Sequence, residues 1–186
     1  GERAGDKPSY SMMCYGFDTF AEASYAAWDL ERTFRRTLGT RLNLDPDFVR
    51  FIPAGLIKHD RELWDIMTEV IVSRGYEGKV GLQVDVAGGT YYDNEKGVFV
   101  GLFSAEDKTY EELIELYKWM VKEYPFVILE DPLDEDDFEG HARLTRELPI
   151  EIVGDDLFTT NSERVRRGIE VGAANAVLLK VNQVGT

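Results

Sequence analysis

Two rhythms of apolar and polar positions alternate along the chain. Short apolar runs at residues 80–87, 127–129, 150–153 and 176–179 are too brief for helices; those at 127–129, 150–153 and 176–179 lack the sustained polar alternation of a half-exposed strand. They predict strands covered on both faces. A further short β-like run spans 10–17. The stretch 90–100 (TYYDNEKGVFV) predicts a hairpin, with two β-prone runs flanking an Asp-Asn-Glu-Lys-Gly turn.

Between these runs the spacing changes to that of helices. Thr19 and Glu22 form a capping-box pattern that opens a helix to about residue 38, with Phe20, Ala23, Ala26, Ala27, Leu30 and Phe34 predicted on its inner face. A second helix follows from Asp60, carrying Leu63, Met67, Val70 and Ile71 and stopping near Gly75. Thr109 and Glu112 begin a third, whose stripe is Tyr110, Leu113, Ile114, Tyr117, Met120 and Val121. A fourth begins near Asp136 and covers Leu144 and Leu148; a fifth begins at 160–163, packs Val165, Ile169 and Val171, and stops at Gly172. Residues 48–52, ended by Pro53 and Gly55, are either a strand or a packed connection.

Strand and helix patterns in alternation predict an α/β fold with parallel strands and helices outside. About five strand-like runs fall short of the eight that close a (β/α) barrel, so the expected architecture is a partial arc of such a barrel. No linker or low-complexity tract divides the sequence, which reads as one domain or a piece of one.

Composition narrows the class. With 186 residues, 44% hydrophobic, a core can form; a single cysteine, Cys14, excludes a disulfide framework. The absence of a leader pattern or a membrane-length apolar run gives the cytoplasm as the expected compartment. Asp and Glu outnumber Lys and Arg by 35 to 21, a formal net charge of −14, which repels nucleic acid. An anionic small molecule remains compatible if cations reverse the field locally.

Candidate chemistry sits at the strand ends. Asp85, Glu130 and Asp155 each close an apolar run, and Lys180 closes the last. Glu130 to Asp155 and Asp155 to Lys180 are each 25 residues, about one strand-helix unit, which collects these groups on one rim. Asp85 lies 45 residues before Glu130, the excess being the hairpin. Three carboxylates on neighbouring strand ends need a cation, and the oxygen ligands suit Mg2+. Beside such an ion, and partly desolvated, Lys180 is expected to have a lowered proton affinity and to act as a general base next to a substrate carboxylate.

The blocks EDPLDEDD at 130–137, VGDDLFTTN at 153–161 and LLKVNQVG at 178–185 resemble the consecutive signature blocks of the enolase family, and weaker similarity reaches back through Asp85 to Gly16 and Thr19. The resemblance implies a Mg2+ site at Asp85, Glu130 and Asp155, with Lys180 as the base that takes the C2 proton of 2-phosphoglycerate. It further implies that Glu130, Asp155 and Lys180 contact substrate, and that the protein is a cytoplasmic homodimer acting as a phosphopyruvate hydratase in glycolysis. On the same pattern, 1–186 is the central portion of the catalytic barrel, without the N-terminal capping domain and the last strands. The chain departs from the family where 8–14 (PSYSMMC) lacks a Gln-Glu pair, where 49–55 (VRFIPAG) lacks the acid of a Gly-Asp-Glu-Gly-Gly loop, and where Arg3 stands for a histidine. Two alternatives follow: a dehydratase or isomerase of the same superfamily acting on another hydroxy acid, or a non-catalytic relative.

Other conspicuous residues have plainer expectations. Asp156 is a shell residue, residues 134–137 are solvated charge at a helix start, and His59 and His141 are helix-start or surface positions rather than ligands. Cys14 reads as a small core residue, Tyr91 and Tyr92 as hairpin packing, and Arg166 and Arg167 as an exposed face.

Overall fold

The computed structural model describes residues 7–45, 52 and 55–183. Its main sheet has five strands: β1 (Ser9–Cys14), β2 (Val80–Asp85), β6 (Phe126–Glu130), β7 (Glu151–Gly154) and β8 (Ala176–Val177), in the order β1-β2-β6-β7-β8. Strands β2, β6, β7 and β8 run parallel, and the sheet is an open arc among the described residues. Each parallel step is made by one helix, as the alternation predicts: α3 (Tyr110–Glu123), α4 (Phe138–Glu147) and α5 (Ser162–Val171). Between β1 and β2 the described residues form two helices, α1 (Phe20–Leu42) and α2 (Arg61–Ser73), which pack on each other. The second helix reverses direction once more, so β1 lies antiparallel to β2.

Helix starts follow the sequence closely. Thr19 and Thr109 both complete reciprocal capping boxes with Glu22 and Glu112. Asn161 caps α5 and Gly172 ends it in the left-handed conformation. The hairpin forms as β3 (Tyr92–Asp93) and β4 (Val98–Phe99), to which β5 (Lys108–Thr109) adds an unforeseen third strand. The possible strand at 48–52 falls almost wholly outside the described residues; Ile52 packs against the main core.

That core joins α1, α2, α3 and the sheet around Trp64, whose indole meets the rings of Phe103, Tyr124 and Phe126 edge to face at 5.5–5.6 Å. Four expectations about burial need correction. The run 176–179 is not covered on both faces: Val177 and Leu179 are 45% and 70% exposed, at and just past the edge strand of the described sheet. Phe20 is 90% exposed because it precedes the first buried residue of α1, Ala26, and Ala27 is exposed because it lies off the face that buries Ala26, Asp29 and Leu30. Ile169 is 77% exposed: α5 docks through Gly168, where an added Cβ would lie 2.3 Å from the Phe158 ring, and Ile169 is turned away by one residue. His141 is not a surface residue. It is fully buried in the first turn of α4, with Nδ1 2.8 Å from the Asp137 carbonyl and Nε2 without a partner.

Burial lowers the His141 pKa, against the opposing influence of Asp137 and Asp134. The unfolded chain therefore binds the proton more readily, and the neutral imidazole's contribution to stability is lost as pH falls below the unfolded value of about 6.5. Urea unfolding at pH 7.5 and pH 5.5 should show a smaller acid-induced loss in His141→Gln than in the wild type; an identical loss would remove His141 as its source.

Candidate functional site

The parallel register sets the site's spacing. Asp85 and Glu130 are direct partners at the ends of β2 and β6, and Glu130 is opposite Val153 on β7, two residues before Asp155. Oxygens of Asp85, Glu130 and Asp131 lie within 4.8 Å of one another, as do oxygens of Asp131, Asp155 and Asp156. Asp131 is common to both groups. Glu130 and Asp155 are 5% and 6% exposed, whereas Asp156 is exposed.

The loops that carry these acids hold unusual backbone. Ala87, Asp131, Thr159 and Thr160 all have positive φ, between 42° and 53°, and each lies in a loop that follows one of the acids at the strand ends. For side chains with a Cβ this costs about 1–3 kcal/mol apiece, and such strain gathers at functional loops. At Gly88 an added Cβ would meet the Leu133 backbone at 2.7–2.8 Å, so the β2 and β6 loops touch through a glycine.

Compensation for the negative charge is local. Lys180 pairs with Asp155 Oδ2, and Lys7 pairs with Asp85. The Gln83 amide donates to Glu130 Oε2 at 3.1 Å. Burial raises the Glu130 pKa, the Asp155 charge adds to the rise, and Lys7, Gln83 and Lys180 oppose it. Asp155 Oδ1 is buried and makes no hydrogen bond. A carboxylate oxygen left bare in the interior is costly, and an open acceptor facing neighbouring acids is the donor set a hard cation uses. The residues present fit a divalent ion.

The structure thus gathers Asp85, Glu130, Asp155 and Lys180 on one rim, as their spacing predicts. The hydrogen bond from Lys180 to Asp155 raises the lysine pKa, with the Asp156 and Glu130 charges acting the same way, so the proton affinity is not lowered by its surroundings in the protein. The expected lowering rests on a cation beside the lysine and on desolvation; desolvation does act to lower it but is outweighed by the bond to Asp155.

Sequence reasoning missed Asp131, Gln83 and Lys7. Gln83 was detectable in principle, since it shares the face of Asp85 two residues along the strand. Lys7 carried no spacing signal. Asp131 was hidden as the second acid of a pair, yet its carboxylate accepts the N–H groups of Asp155, Asp156 and Leu157 at 2.8–3.3 Å. Burial outweighs these bonds and pushes its pKa up to about 6. Arg3 and most of the acid-free segment 49–55, namely 49–51, Pro53 and Ala54, lie outside the described residues, as do 46–48 and 184–186.

The family model described as Enolase, C-terminal TIM barrel domain, matches residues 50–186. The chain belongs to the enolase family. The Methanococcus maripaludis strain S2 protein named enolase is 38% identical over 194 residues, covering 100% of this chain and 45% of the relative. The Methanopyrus kandleri enolase is 40% identical over 197 residues with the same coverages. The Methanocaldococcus jannaschii enolase is 51% identical over 132 residues, 70% of this chain and 30% of the relative. The chain therefore spans less than half the length of these relatives, and the enolase-type sheet is present as an arc rather than a closed barrel. No helix among the described residues is long and apolar enough to cross a membrane.

Replacing Gln83 by Leu removes a donor that favours the charged form of Glu130. The Glu130 carboxyl should then titrate at higher pH in a carbon-detected NMR titration; an unchanged midpoint would show that Gln83 does not bear on Glu130.

Proposed function

We infer that this chain supplies the carboxylate and lysine part of a lyase site that dehydrates 2-phosphoglycerate to phosphoenolpyruvate, reversibly, in the cytoplasm. The observation that carries the reading is the bare, buried Asp155 Oδ1 among acids at three successive strand ends, with Lys180 on the other oxygen of the same carboxylate. Asp85, Glu130 and Asp155 would hold Mg2+, which when bound supplies concentrated positive charge for the dianion left by proton removal beside a carboxylate.

Lys180 is the base in this reading. Its Nζ accepts the C2 proton, and Asp155 holds the side chain in place for that transfer. Pairing with Asp155 favours the ammonium, so Lys180 can accept a proton only when positive charge from elsewhere offsets that carboxylate. Its backbone is held by the Thr160 hydroxyl, which accepts the Lys180 N–H at 3.0 Å and donates to Gln183 at 2.7 Å. Lys7 brings a second cation to the Asp85 side of the cluster, suited to an anionic substrate.

A second reading rests on β1. Its residues Ser9–Cys14 contain no acid, so the strand beside Asp85 offers no carboxylate to assist departure of the C3 hydroxyl. This favours a superfamily reaction that needs only proton abstraction by Lys180, on a different hydroxy acid. Phosphoenolpyruvate formation from 2-phosphoglycerate, assayed with Mg2+ beside Lys180→Ala, separates the two. Turnover that falls at least about 100-fold in the variant supports the dehydratase. Turnover unaffected by the substitution would remove Lys180 as the base, and none in a Mg2+-binding wild type would favour another hydroxy acid.

A further inference from the structure

We propose that Asp131 is a positioning residue that sets the cation affinity of the site: its carboxylate holds the loop after β7, and its main chain ties that loop's strand and the loop after β2 to its own. This rests on the reading of Asp85, Glu130 and Asp155 as the cation ligands. Asp131 is only 2% exposed and follows Glu130 directly in a left-handed conformation. Both its oxygens are engaged. Oδ1 accepts from Asp155 N at 3.1 Å and Leu157 N at 3.2 Å; Oδ2 accepts from Asp156 N at 2.8 Å and Asp155 N at 3.3 Å. Its main chain reaches β7 and the loop after β2: its N–H donates to Val153 O at 3.0 Å, and its carbonyl accepts from Gly88 N at 2.9 Å.

The consequence is geometric. Gly88 lies three residues after Asp85, and Asp155 is itself one of the amide donors, so a single residue fixes the loops on both sides of Glu130. With its oxygens turned to three backbone amides, Asp131 serves the loop rather than a cation. The positive φ at Thr159 and Thr160 shows that the β7 loop is held in a conformation its own sequence does not favour. Charge-assisted bonds from a buried carboxylate are strong enough to hold it there. Outer groups that orient ligands typically alter metal affinity by about 10–100-fold when changed.

The test uses Asp131→Asn, which keeps the shape and tolerates the left-handed backbone but turns one acceptor into a donor facing N–H groups. Asp156→Asn removes the same charge one residue from Asp155, on an exposed side chain. Mg2+ binding by calorimetry and amide hydrogen exchange at 155–157 are measured on all three proteins. The proposal expects Asp131→Asn to lose about 10–100-fold in Mg2+ affinity and to exchange faster at 155–157, with Asp156→Asn within about threefold of wild type. Wild-type affinity in Asp131→Asn overturns it. So does an equal loss in Asp156→Asn, which would make the effect one of charge alone, or a loss with unchanged exchange, which would make Asp131 a direct ligand. A wild type that binds no Mg2+ overturns the ligand reading first and this proposal with it, even if the exchange difference persists.

Discussion

The fold has to keep several carboxylates together at the inner end of a buried sheet. Two charged oxygens 4.8 Å apart repel by about 3 kcal/mol at an effective dielectric of about 20, and the cluster contains several such pairs. Burial adds to this, as the raised pKa values of Glu130 and Asp131 show. The protein offsets the repulsion with Lys7, Lys180, the Gln83 amide and the backbone N–H groups that Asp131 receives. The offset is incomplete at Asp155 Oδ1, which leaves an open acceptor of the kind a hard cation uses.

Everything around the cluster contributes to holding it. Parallel register places Asp85 beside Glu130, and the strained loops behind them carry Asp155 toward the same point. Only a rigid support maintains such backbone, and it is provided by the core around Trp64 and by the second cluster, where Phe138, Leu157, Phe158 and Ala173 pack under α5. The close approach of Gly168 to Phe158 keeps α5 tight against the loop that bears Asp155. Packing and chemistry therefore meet in the β7–α5 connection.

Much of this was legible in the sequence. The capping boxes at Thr19 and Thr109, the apolar runs ending in Asp85, Glu130 and Asp155, and the regular spacing to Lys180 each encode their structure locally. What was not legible depends on contacts between distant segments. The exposure of Phe20 and Ile169 follows from where a helix first touches the sheet, which periodicity does not specify. The antiparallel β1 follows from counting helices, but no single residue announces it. Asp131 is bound to amides about 25 residues away, and one acid in a pair gives no sign of which serves the loop. The burial of His141 is of the same kind, since its partner-free Nε2 is held by packing rather than by any motif.

Anomalous diffraction from crystals of the protein soaked in Mn2+ as a Mg2+ substitute would locate the ion. A cation site at the strand ends gives one strong peak within coordination distance of carboxylate oxygens of Asp85, Glu130 and Asp155, with Asp131 still facing the backbone amides of 155–157. A peak elsewhere, or none at saturating ion in a well-ordered crystal, would contradict it.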